Sequence, residues 1–299
     1  MKILVTGSTG LIGSALAPSL IAAKHQVVRL VRRKPRPGAS EVHWDPSADF
    51  IDVPGLNGFD AVVHLAGENI GEGRWTTQRK AKIRNSRVEG THLLAEGLAQ
   101  VSNRPKVMVS ASAIGYYGNR GSETLREDSP PGSGFLAEVC AEWEAAAQPA
   151  SAKGIRVVYL RSGVVLSPNG GALAKMLTPF KMGVGGVIGR GDQYWSWIAL
   201  DDTIGVIHFV LANDQFSGAF NAVAPNPVTN REFTKTLGRV LARPTIFPMP
   251  AAVASLALGE MADEMLLGST RVEPARLLAA GYKFKFPTLE AALRHLLKK

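Results

Sequence analysis

The sequence contains a single cysteine, Cys140, among its 299 residues. One cysteine excludes an intramolecular disulfide framework, and a chain of this length buries roughly three quarters of its unfolded surface without one. The six histidines show neither H-E-x-x-H nor Cys/His spacing, so no metal site is predicted. His64, inside a predicted strand, is more simply a buried core histidine. We therefore expect a fold held by a hydrophobic core in a reducing compartment, with the cytoplasm as the location.

Long hydrophobic runs are missing as well. No stretch reaches the roughly 18 consecutive apolar residues that a membrane span requires. The apolar start at residues 1–5 runs directly into Thr6, Gly7 and Ser8, which is too soon for the hydrophobic region of a signal peptide. We therefore predict a protein that is neither secreted nor inserted in a membrane, and we expect no membrane partner.

Acidic residues are outnumbered, because 34 Lys and Arg face 25 Asp and Glu, for a formal net charge of +9. This excess favours anionic partners in general. No zinc-finger, basic-zipper or RNA-binding signature accompanies it, and the basic residues stand in short groups beside Gly-rich turns. We expect a small molecule that carries phosphate rather than nucleic acid. A protein partner or solubility alone would also account for the charge.

Segments with strand and helix periodicity alternate through the first 165 residues. Such alternation is typical of βαβ units whose parallel strands form a sheet covered by helices on both faces. We therefore predict an α/β fold with a Rossmann-type, doubly wound parallel sheet. The predicted strands cover residues 2–6, 25–32, 60–66, 106–110 and 156–161, with a short one near 41–44, and the predicted helices cover 11–23, 76–99 and 135–147.

The remainder of the chain divides into two further parts. Residues 166–247 are expected to complete the Rossmann domain of residues 1–165 and to supply loops on the substrate side, with a helix at 202–212. Residues 248–299, which open on Pro248-Met-Pro, are expected to form a small, mostly helical C-terminal lobe. Its predicted helices cover residues 251–259, 273–280 and 289–297.

A glycine-rich turn lies between the first predicted strand and the first predicted helix. In this position the free N–H groups and the positive end of the helix dipole face a pyrophosphate, and glycine lets the backbone approach it. The spacing is G-x-x-G-x-x-G rather than G-x-G-x-x-G. A turn without a ligand is the alternative. The predicted contacts with a dinucleotide are Gly7, Thr9, Gly10, Leu11, Ile12 and Gly13.

The end of the second predicted strand indicates which dinucleotide is bound. An acidic residue at this point accepts from the ribose 2′-hydroxyl in NAD-specific sites, but here the strand runs into Arg32, Arg33 and Lys34. Guanidinium groups bind phosphate bidentately. We therefore predict NADP(H) as the cofactor, with Arg32 as the first contact to its 2′-phosphate and Arg33 as the second. A solvated basic strand end is the alternative.

Several motifs together resemble the extended and atypical short-chain dehydrogenase/reductases. The resemblance is greatest to their epimerase-family branch, the nucleoside-diphosphate-sugar epimerases that carry a C-terminal domain of unknown function. It covers essentially the whole chain. The motifs are Thr6 to Gly13, Asp60-Ala-Val-Val-His-Leu-Ala-Gly-Glu-Asn, Ser86-Arg87, Ser110-Ala-Ser-Ala-Ile-Gly-Tyr-Tyr-Gly, Trp143-Glu144, Arg161-Ser-Gly-Val-Val-Leu and Trp195-Ser-Trp-Ile.

The resemblance implies further contacts with the cofactor. The residues at the end of the strand at 60–66 match a segment that lines the adenosine and its ribose. A helical arginine matches a contact that can reach phosphate, and a position near 165 flanks the nicotinamide. Plain core packing, or a surface position for the arginine, is the alternative at these sites. The implied residues are Leu65, Ala66, Gly67, Glu68, Arg87 and Val165.

The Tyr-x-x-x-Lys pair of this superfamily is missing. In that pair the lysine lowers the pKa of a tyrosine one helical turn away, but this chain has Phe135 and Val139 at the two positions. Ser112 is retained where the family keeps a hydroxyl that hydrogen-bonds the substrate. Tyr116 and Tyr117 follow in a turn that we expect to open toward the same cleft. The candidate catalytic residues are therefore these two tyrosines and Ser112, although the tyrosines could equally be packing aromatics.

Two functions follow from these residues. The first is an NADP(H)-dependent oxidoreductase or epimerase that acts on a small anionic substrate such as a nucleotide sugar. The second is a non-catalytic NADP(H)-binding regulator or interaction protein, because the general acid has been lost. Turnover of the cofactor distinguishes them. The aromatic segment 193–197 either walls a substrate pocket or anchors its loop, and the sequence leaves the oligomeric state open.

Overall fold

The computed structural model describes all residues from 1 to 299. Its strands are β1 (Lys2–Thr6), β2 (Gln26–Val31), β3 (Glu41–Asp45), β4 (Phe50–Ile51), β5 (Ala61–His64), β6 (Val107–Ala113), β7 (Thr124–Leu125), β8 (Arg156–Ser162), β9 (Val164–Leu166), β10 (Tyr194–Trp195), β11 (Trp197–Ala199), β12 (Gly218–Ala222), β13 (Val228–Thr229) and β14 (Arg271–Val272). Its helices are α1 (Leu11–Ala22), α2 (Thr77–Gln100), α3 (Phe135–Ala145), α4 (Gln148–Ala152), α5 (Gly171–Lys181), α6 (Leu200–Ala212), α7 (Asn230–Leu241), α8 (Ala251–Leu258), α9 (Glu260–Ala262), α10 (Ala275–Ala279) and α11 (Leu289–Leu297).

Eight strands form one sheet in the order β12-β8-β6-β5-β1-β2-β3-β4. Seven of them pair in parallel, and only the two-residue β4 is antiparallel to its neighbour. The order runs outward in both directions from β1, so the chain reverses its winding between β1 and β5. The predicted Rossmann-type fold is confirmed, and this reversal is where such sheets bind ligands, beyond the carboxyl ends of the strands.

Alternate residues of the central strands pack into cores on opposite faces of the sheet. Ile3 and Val5 of β1 face a core that they share with α1 and α6. Leu4, between them, faces a second core that it shares with α2 and α4. Because strands covered on both faces must be apolar throughout, their sequences read as continuous hydrophobic runs. No helix of the structure is both long and apolar enough to cross a membrane.

Most predicted elements of the first 165 residues are present within a few residues of their predicted ends. The helix expected at 76–99 is α2, and the strand expected near 41–44 is β3. The helix expected at 135–147 ends at Ala145, and the separate short helix α4 follows it. β4, which pairs with β3, was not among the predicted strands.

The C-terminal segment is largely helical, as predicted, but it does not build a core of its own. Leu277 of α10 packs into the core shared by α1 and α6. Leu289 and Leu293 of α11 pack into a third core, around α5 and α7. β14 pairs in parallel with β7. The side chains of this helical segment therefore complete cores that begin elsewhere in the chain. The division at residues 165 and 247 stays a prediction.

Candidate functional site

The three glycines of the β1–α1 turn serve different purposes. Gly7 has φ of +63°, and a Cβ there would lie 2.6 Å from the backbone of Leu65. A Cβ on Gly13 would lie 2.2 Å from the carbonyl oxygen of Gly7. A Cβ on Gly10 would meet only that same oxygen, at an ordinary 3.4 Å. The fold therefore requires glycine at positions 7 and 13, whereas the protein itself leaves room for a side chain at position 10.

The N-terminus of α1 is open to a ligand. Gly10 is its N-cap, no side chain caps the helix, and no acidic residue lies in the first turn. The Ser14 amide donates to the Gly10 carbonyl at 2.9 Å. The amides of Leu11, Ile12 and Gly13 precede it, in the part of a helix that has no intrahelical acceptors. Together with the helix dipole, these amides make an anion site.

A surface cleft begins at this turn. The β9–α5 loop forms its opposite side, because the side chain of Leu11 lies 3.1 to 3.2 Å from where Gly170 and Gly171 would carry Cβ atoms. Val165 precedes this loop in β9, and its carbonyl oxygen lies 3.5 Å from the Cβ position of Gly171. The residues that line the cleft are Thr9, Gly10, Leu11, Ser14, Ala15, Asn69, Ser167, Asn169, Gly170, Gly171 and Leu200.

A buried hydrogen-bond network fixes the segment that follows β5. The hydroxyl of Thr6 accepts from the amides of Leu65 and Ala66 at 3.0 and 3.1 Å. The Thr6 hydroxyl therefore donates its own hydrogen to Nδ1 of His64, at an oxygen–nitrogen distance of 2.8 Å. The network thereby holds residues 65–67 against the end of β1, one strand away from the glycine turn.

His64 continues this network as a neutral side chain. Nε2 of His64 lies 2.9 Å from the Thr91 hydroxyl, which also accepts from the indole N–H of Trp143. Because Thr6 donates to Nδ1, the ring hydrogen is on Nε2. Complete burial lowers the pKa of His64 to about 4, since the interior disfavours the charged form. His64 is the buried core histidine that the sequence predicted.

Two adjacent arginines follow β2, and they have different partners. Arg33 forms an ion pair with Glu41, with Nη1 donating to Oε2 at 2.9 Å. This contact lowers the pKa of Glu41. Arg32 is exposed and takes part in no ion pair or side-chain hydrogen bond. Of the two, only Arg32 is free to meet an incoming anion without breaking an existing contact.

Arg87 is a largely buried cation without a carboxylate partner. Its Nη1 donates to the carbonyl oxygen of Ile83 at 3.1 Å, and its guanidinium carbon lies 5.1 Å from the ring centre of Trp143. Burial lowers its pKa. The guanidinium is 3.4 to 3.6 Å from the Cβ position of Gly67. Glu68 is already engaged, because Arg79 donates to it at 2.6 Å. An anion beside Gly67 would therefore find Arg87 available.

The two positions at which the resemblance predicts the Tyr-x-x-x-Lys pair lie in an apolar cluster. Phe135, the first residue of α3, is 9% exposed, and Val139 is 1% exposed. They pack with Trp75, Ile83 and Met261, and the rings of Trp75 and Phe135 meet edge to face at 5.3 Å between centres. No proton-transferring group can act from these positions, and aromatic and aliphatic side chains fill the space around them.

Ser112 belongs to a buried polar network. Its hydroxyl donates to Oε1 of Glu144 at 2.7 Å. The carboxylate of Glu144 also accepts from Nε and Nη2 of Arg161, both at 2.8 Å. Ser112 is 4% exposed. Because its hydrogen is committed to a carboxylate, Ser112 can offer a ligand only lone pairs, and it therefore acts as an acceptor.

Tyr117 is the next member of this network. Its hydroxyl donates to Oδ1 of Asn221 at 2.7 Å and accepts from Nη1 of Arg161 at 3.0 Å. The side chain is fully buried, and burial raises its pKa. The expectation that Tyr117 opens toward the cleft is therefore wrong, because its hydroxyl is already saturated by two buried partners.

Tyr116 is placed differently. Its ring lies 3.5 Å from the guanidinium carbon of Arg161, which it stacks against. The residue is half-buried, and its hydroxyl makes no hydrogen bond within the protein. Among the three candidate catalytic residues, Tyr116 alone keeps a hydroxyl whose donor is free.

The tryptophans of the aromatic segment 193–197 and the single cysteine, Cys140, are all buried. Trp195 and Trp197 are buried in the third core, together with Phe233, so the aromatic segment anchors its loop. Cys140 is buried, and burial raises the pKa of its thiol to about 12, which disfavours the reactive thiolate. No group of acidic, histidine and cysteine side chains is arranged to hold a metal ion.

The roles of Glu144, Arg161 and Asn221 were missed by the sequence reasoning. Glu144 and Arg161 stood in recognised motifs, but no role was attached to them. A signal for Arg161 existed, because a charged residue inside an apolar strand must find a buried partner. The partner of that arginine, and the asparagine beyond it, depend on how β6, β8, β12 and α3 pack together.

Comparisons with known proteins agree with this geometry. Residues 3–222 match the NAD dependent epimerase/dehydratase family, and residues 249–296 match a domain of unknown function, DUF1731. The epimerase family protein Mb2239 of Mycobacterium bovis is 43% identical over 97% of this chain and 95% of its own length. The crystal structure of the human epimerase family protein SDR39U1 (isoform 2) with NADPH has a TM-score of 0.92 at 39% identity, and covers 100% of both chains.

A more distant structure shares the fold alone. UDP-N-acetylglucosamine 4-epimerase from Bacillus cereus has a TM-score of 0.76 at 17% identity, over 99% of this chain and 98% of its own. The family match covers most of the chain, and the M. bovis relative spans nearly all of it. The resemblance drawn from the motifs is therefore confirmed: the chain belongs to the NAD dependent epimerase/dehydratase family and carries a DUF1731 domain at its C-terminal end.

Proposed function

We propose that this protein is an NADP(H)-dependent oxidoreductase or epimerase of the short-chain dehydrogenase/reductase type that works without the Tyr-x-x-x-Lys pair. The observation that carries the proposal is the open N-terminus of α1 beside an unpaired Arg32. The first feature suits a pyrophosphate, and the second suits a 2′-phosphate. The human relative SDR39U1, whose crystal structure contains NADPH, adds support at 39% identity.

The residues present fit this cofactor in chemical type. A Cβ on Gly10 would meet no protein atom closer than 3.4 Å, so the space beside Gly10 is open. A pyrophosphate that approaches the turn closely needs this opening. Arg32 would hold the 2′-phosphate, and Arg33 would stay with Glu41. The remaining proposed contacts are Gly7, Thr9, Leu11, Ile12, Gly13, Leu65, Ala66, Gly67, Glu68, Arg87 and Val165. When bound, the cofactor supplies hydride transfer at its nicotinamide ring.

The proposed substrate is a small anionic molecule, with nucleotide sugars as the first class to test. The net charge of +9 favours an anion, and the fold is shared with an enzyme named for such a substrate. Ser112, held as an acceptor by Glu144, suits a hydroxyl or amide donor of the ligand better than a carbonyl oxygen. Tyr116 is the proposed proton donor, because its hydroxyl has no partner in the protein.

A second candidate function has one observation in its favour. The positions of the usual acid and its lysine are filled by Phe135 and Val139, inside a cluster that reaches Met261 near the C-terminal end. Such packing suits a protein that binds NADP(H) without consuming it, as a regulator or interaction protein would. The two functions share one cofactor site, and turnover separates them.

The proposal is tested with a matched pair of variants, Arg32→Ala and Arg33→Ala. Each removes one guanidinium, but only Arg33 is held by Glu41. We expect Arg32→Ala to weaken NADPH binding by about 10- to 100-fold, the loss of a charge-assisted bidentate contact, and to leave NADH binding unchanged. Arg33→Ala should weaken NADPH binding by a factor several times smaller than Arg32→Ala does. Equal losses for NADPH and NADH in Arg32→Ala would refute the assignment to the 2′-phosphate.

Turnover is then measured with NADPH and a panel of nucleotide sugars, carbonyl compounds and alcohols. Oxidation of NADPH, or epimerisation of a sugar, that Tyr116→Phe slows by about 10²-fold or more would support the enzyme and its proton donor. Tight binding without turnover on any member of the panel would favour the regulator.

A further inference from the structure

Large exposed apolar side chains are concentrated on residues that do not line the cofactor cleft. Seven of the eleven large apolar side chains that are exposed in this protein lie on two neighbouring segments, and Met182, Ile246 and Leu256 are 72%, 72% and 78% exposed. We call this surface the apolar patch. Its residues are Met182, Val184, Ile246, Phe247, Met249, Val253 and Leu256.

The two segments of the apolar patch are held together by backbone contacts. The amide of Met249 donates to the carbonyl of Val187 at 2.8 Å, and the amide of Gly189 donates to the carbonyl of Met249 at 2.9 Å. A Cβ on Gly186 would lie 1.7 Å from the carbonyl oxygen of Phe247. The patch is therefore one fixed surface rather than two independent loops.

Its chemistry is unusual for a surface exposed to water. The stretch 244–259 contains no charged residue, and the exposed face of α8 presents only alanine, valine and leucine. Monomeric proteins rarely leave contiguous apolar surface of this kind without a use, and such surface marks contacts with proteins or membranes. The prolines at positions 244, 248 and 250 restrict the backbone and so keep the apolar side chains turned outward.

Among charged residues, the two segments that carry the apolar patch hold only cations, while Asp192, Glu232 and Glu260 lie directly beyond their ends. Asp192 and Glu260 are paired with Arg190 and Lys80. The segments 171–191 and 233–259, which carry the patch, contain six basic residues and no acidic one. Three of the cations are already engaged: Lys175 with the carbonyl of Gly71, Arg190 with Asp192, and Arg239 with Glu290. The cations without a carboxylate partner are Lys181, Lys235 and Arg243, all exposed.

Lys181 and Arg243 lie at the edge of the patch. Nε of Arg243 donates to the backbone carbonyl of Lys181 at 2.9 Å, directly before Met182, the first residue of the patch. The complementary surface is therefore apolar, with negative charge facing this edge. A second copy of this chain that met the patch with its own patch would offer these cations no carboxylate from segments 171–191 and 233–259, which contain none.

We propose that the apolar patch docks the protein on the surface of an anionic lipid bilayer. Protruding aliphatic and aromatic side chains enter the headgroup boundary, while Lys181 and Arg243 meet the lipid phosphates. Aliphatic tips on a proline-stiffened loop and a short helix suit this boundary. The patch has no tyrosine or tryptophan, the residues that anchor most protein interfaces. The contact is peripheral, and no part of the chain spans the bilayer.

The test is flotation of the full-length protein with vesicles at ~0.1 M salt. Vesicles of phosphatidylcholine with phosphatidylglycerol should carry the protein to the top of the gradient, and vesicles of phosphatidylcholine alone should carry much less of it. Each free cation near the surface should contribute about fivefold to the partition coefficient. Equal binding to both kinds of vesicle, or to neither, would overturn the proposal.

Matched variants distinguish vesicle binding through the apolar patch from nonspecific hydrophobic binding by the rest of the surface. Ile246→Asp/Leu256→Asp should reduce flotation by about tenfold or more, whereas Ile21→Asp/Leu278→Asp, which changes the same residue types at exposed positions elsewhere, should not. Lys181→Glu/Arg243→Glu should reduce flotation by at least about 25-fold, and Lys153→Glu/Lys283→Glu should have a much smaller effect.

Two controls keep the outcome decisive. NADPH titration of each variant shows that the fold and the cofactor cleft are unchanged, since no substituted residue lines that cleft. Light scattering of the free protein gives its mass. A dimer that Ile246→Asp/Leu256→Asp dissociates, with no flotation of the native protein, would assign the patch to self-association and overturn the membrane proposal.

Discussion

The glycine turn gives a prediction in which stability and cofactor binding respond separately. The two changes are Gly13→Ala and Gly10→Ala, three residues apart in one turn. At position 13 the new Cβ would lie 2.2 Å from the carbonyl oxygen of Gly7 and 2.8 Å from Cα of Ser8. Both neighbours are backbone atoms, so no side-chain rotation relieves the overlap. At position 10 the new Cβ has one contact, at 3.4 Å.

The magnitudes follow from these contacts. Overpacking costs up to about 3 kcal/mol, and replacing a glycine inside a helix returns about 1 kcal/mol, so Gly13→Ala should lower the free energy of unfolding by about 2 kcal/mol. At about 2–4 °C per kcal/mol for a chain of this size, Tm should fall by roughly 4–8 °C. Gly10 has φ of −76° and ψ of 178°, which any residue adopts. Gly10→Ala should therefore change stability by less than about 0.5 kcal/mol.

The cofactor should respond to Gly10→Ala most clearly. Its Cβ would occupy the approach to the α1 amides and should weaken NADPH binding by about tenfold or more, about 1.4 kcal/mol. Thermal unfolding and nicotinamide fluorescence titration measure the two quantities on the same samples. If Gly10→Ala binds NADPH as tightly as the native protein, the pyrophosphate does not approach this turn, and the reasoning fails.

Three further outcomes are expected. Val139→Lys places a lysine at a fully buried position and should destabilise the fold by about 3 kcal/mol or more. A variant that kept the native Tm would contradict the burial of position 139 in an apolar cluster. Tyr117→Phe should lower the free energy of unfolding by about 1–3 kcal/mol through its lost bonds to Arg161 and Asn221, with NADPH affinity unchanged; a loss of NADPH affinity at native stability would contradict the structural role. His64 has a pKa of about 4 in the folded state, against 6.5 when unfolded. As pH falls from 6.5 to 4, only the unfolded chain takes up this proton. The free energy of unfolding should therefore drop by about 3 kcal/mol over that range. That drop should be missing from the His64→Gln variant in urea denaturation, and equal pH slopes for both proteins would show that His64 is charged in the fold.

The features that the sequence predicted well are local ones. The turn from Gly7 to Gly13 lies between a strand and a helix that are adjacent in the chain, so its geometry follows from a short segment. The placement of Phe135 and Val139 in one helix, four residues apart, was also predicted, because α3 follows from helical periodicity. The parallel sheet followed from alternation of strands and helices, which constrains topology without needing individual contacts.

Features that depend on distant contacts could not be predicted from spacing. Tyr117 and Asn221 are 104 residues apart and meet across β6, β8 and β12. The ion pair that engages Arg33 depends on Glu41, which β3 brings beside the end of β2. The helix at 289–297 was predicted, but the core that Leu289 and Leu293 enter is built with residues of α7, about 50 positions earlier in the chain.

The central claim is that this chain binds NADP(H) at the N-terminus of α1, with Arg32 selecting the 2′-phosphate. It is tested most directly by titrating purified, cofactor-stripped protein with NADPH and, separately, with NADH, while following nicotinamide fluorescence. The account predicts tight binding of NADPH and binding of NADH that is weaker by about 10- to 100-fold. Binding of neither, or equal binding of both, would contradict it.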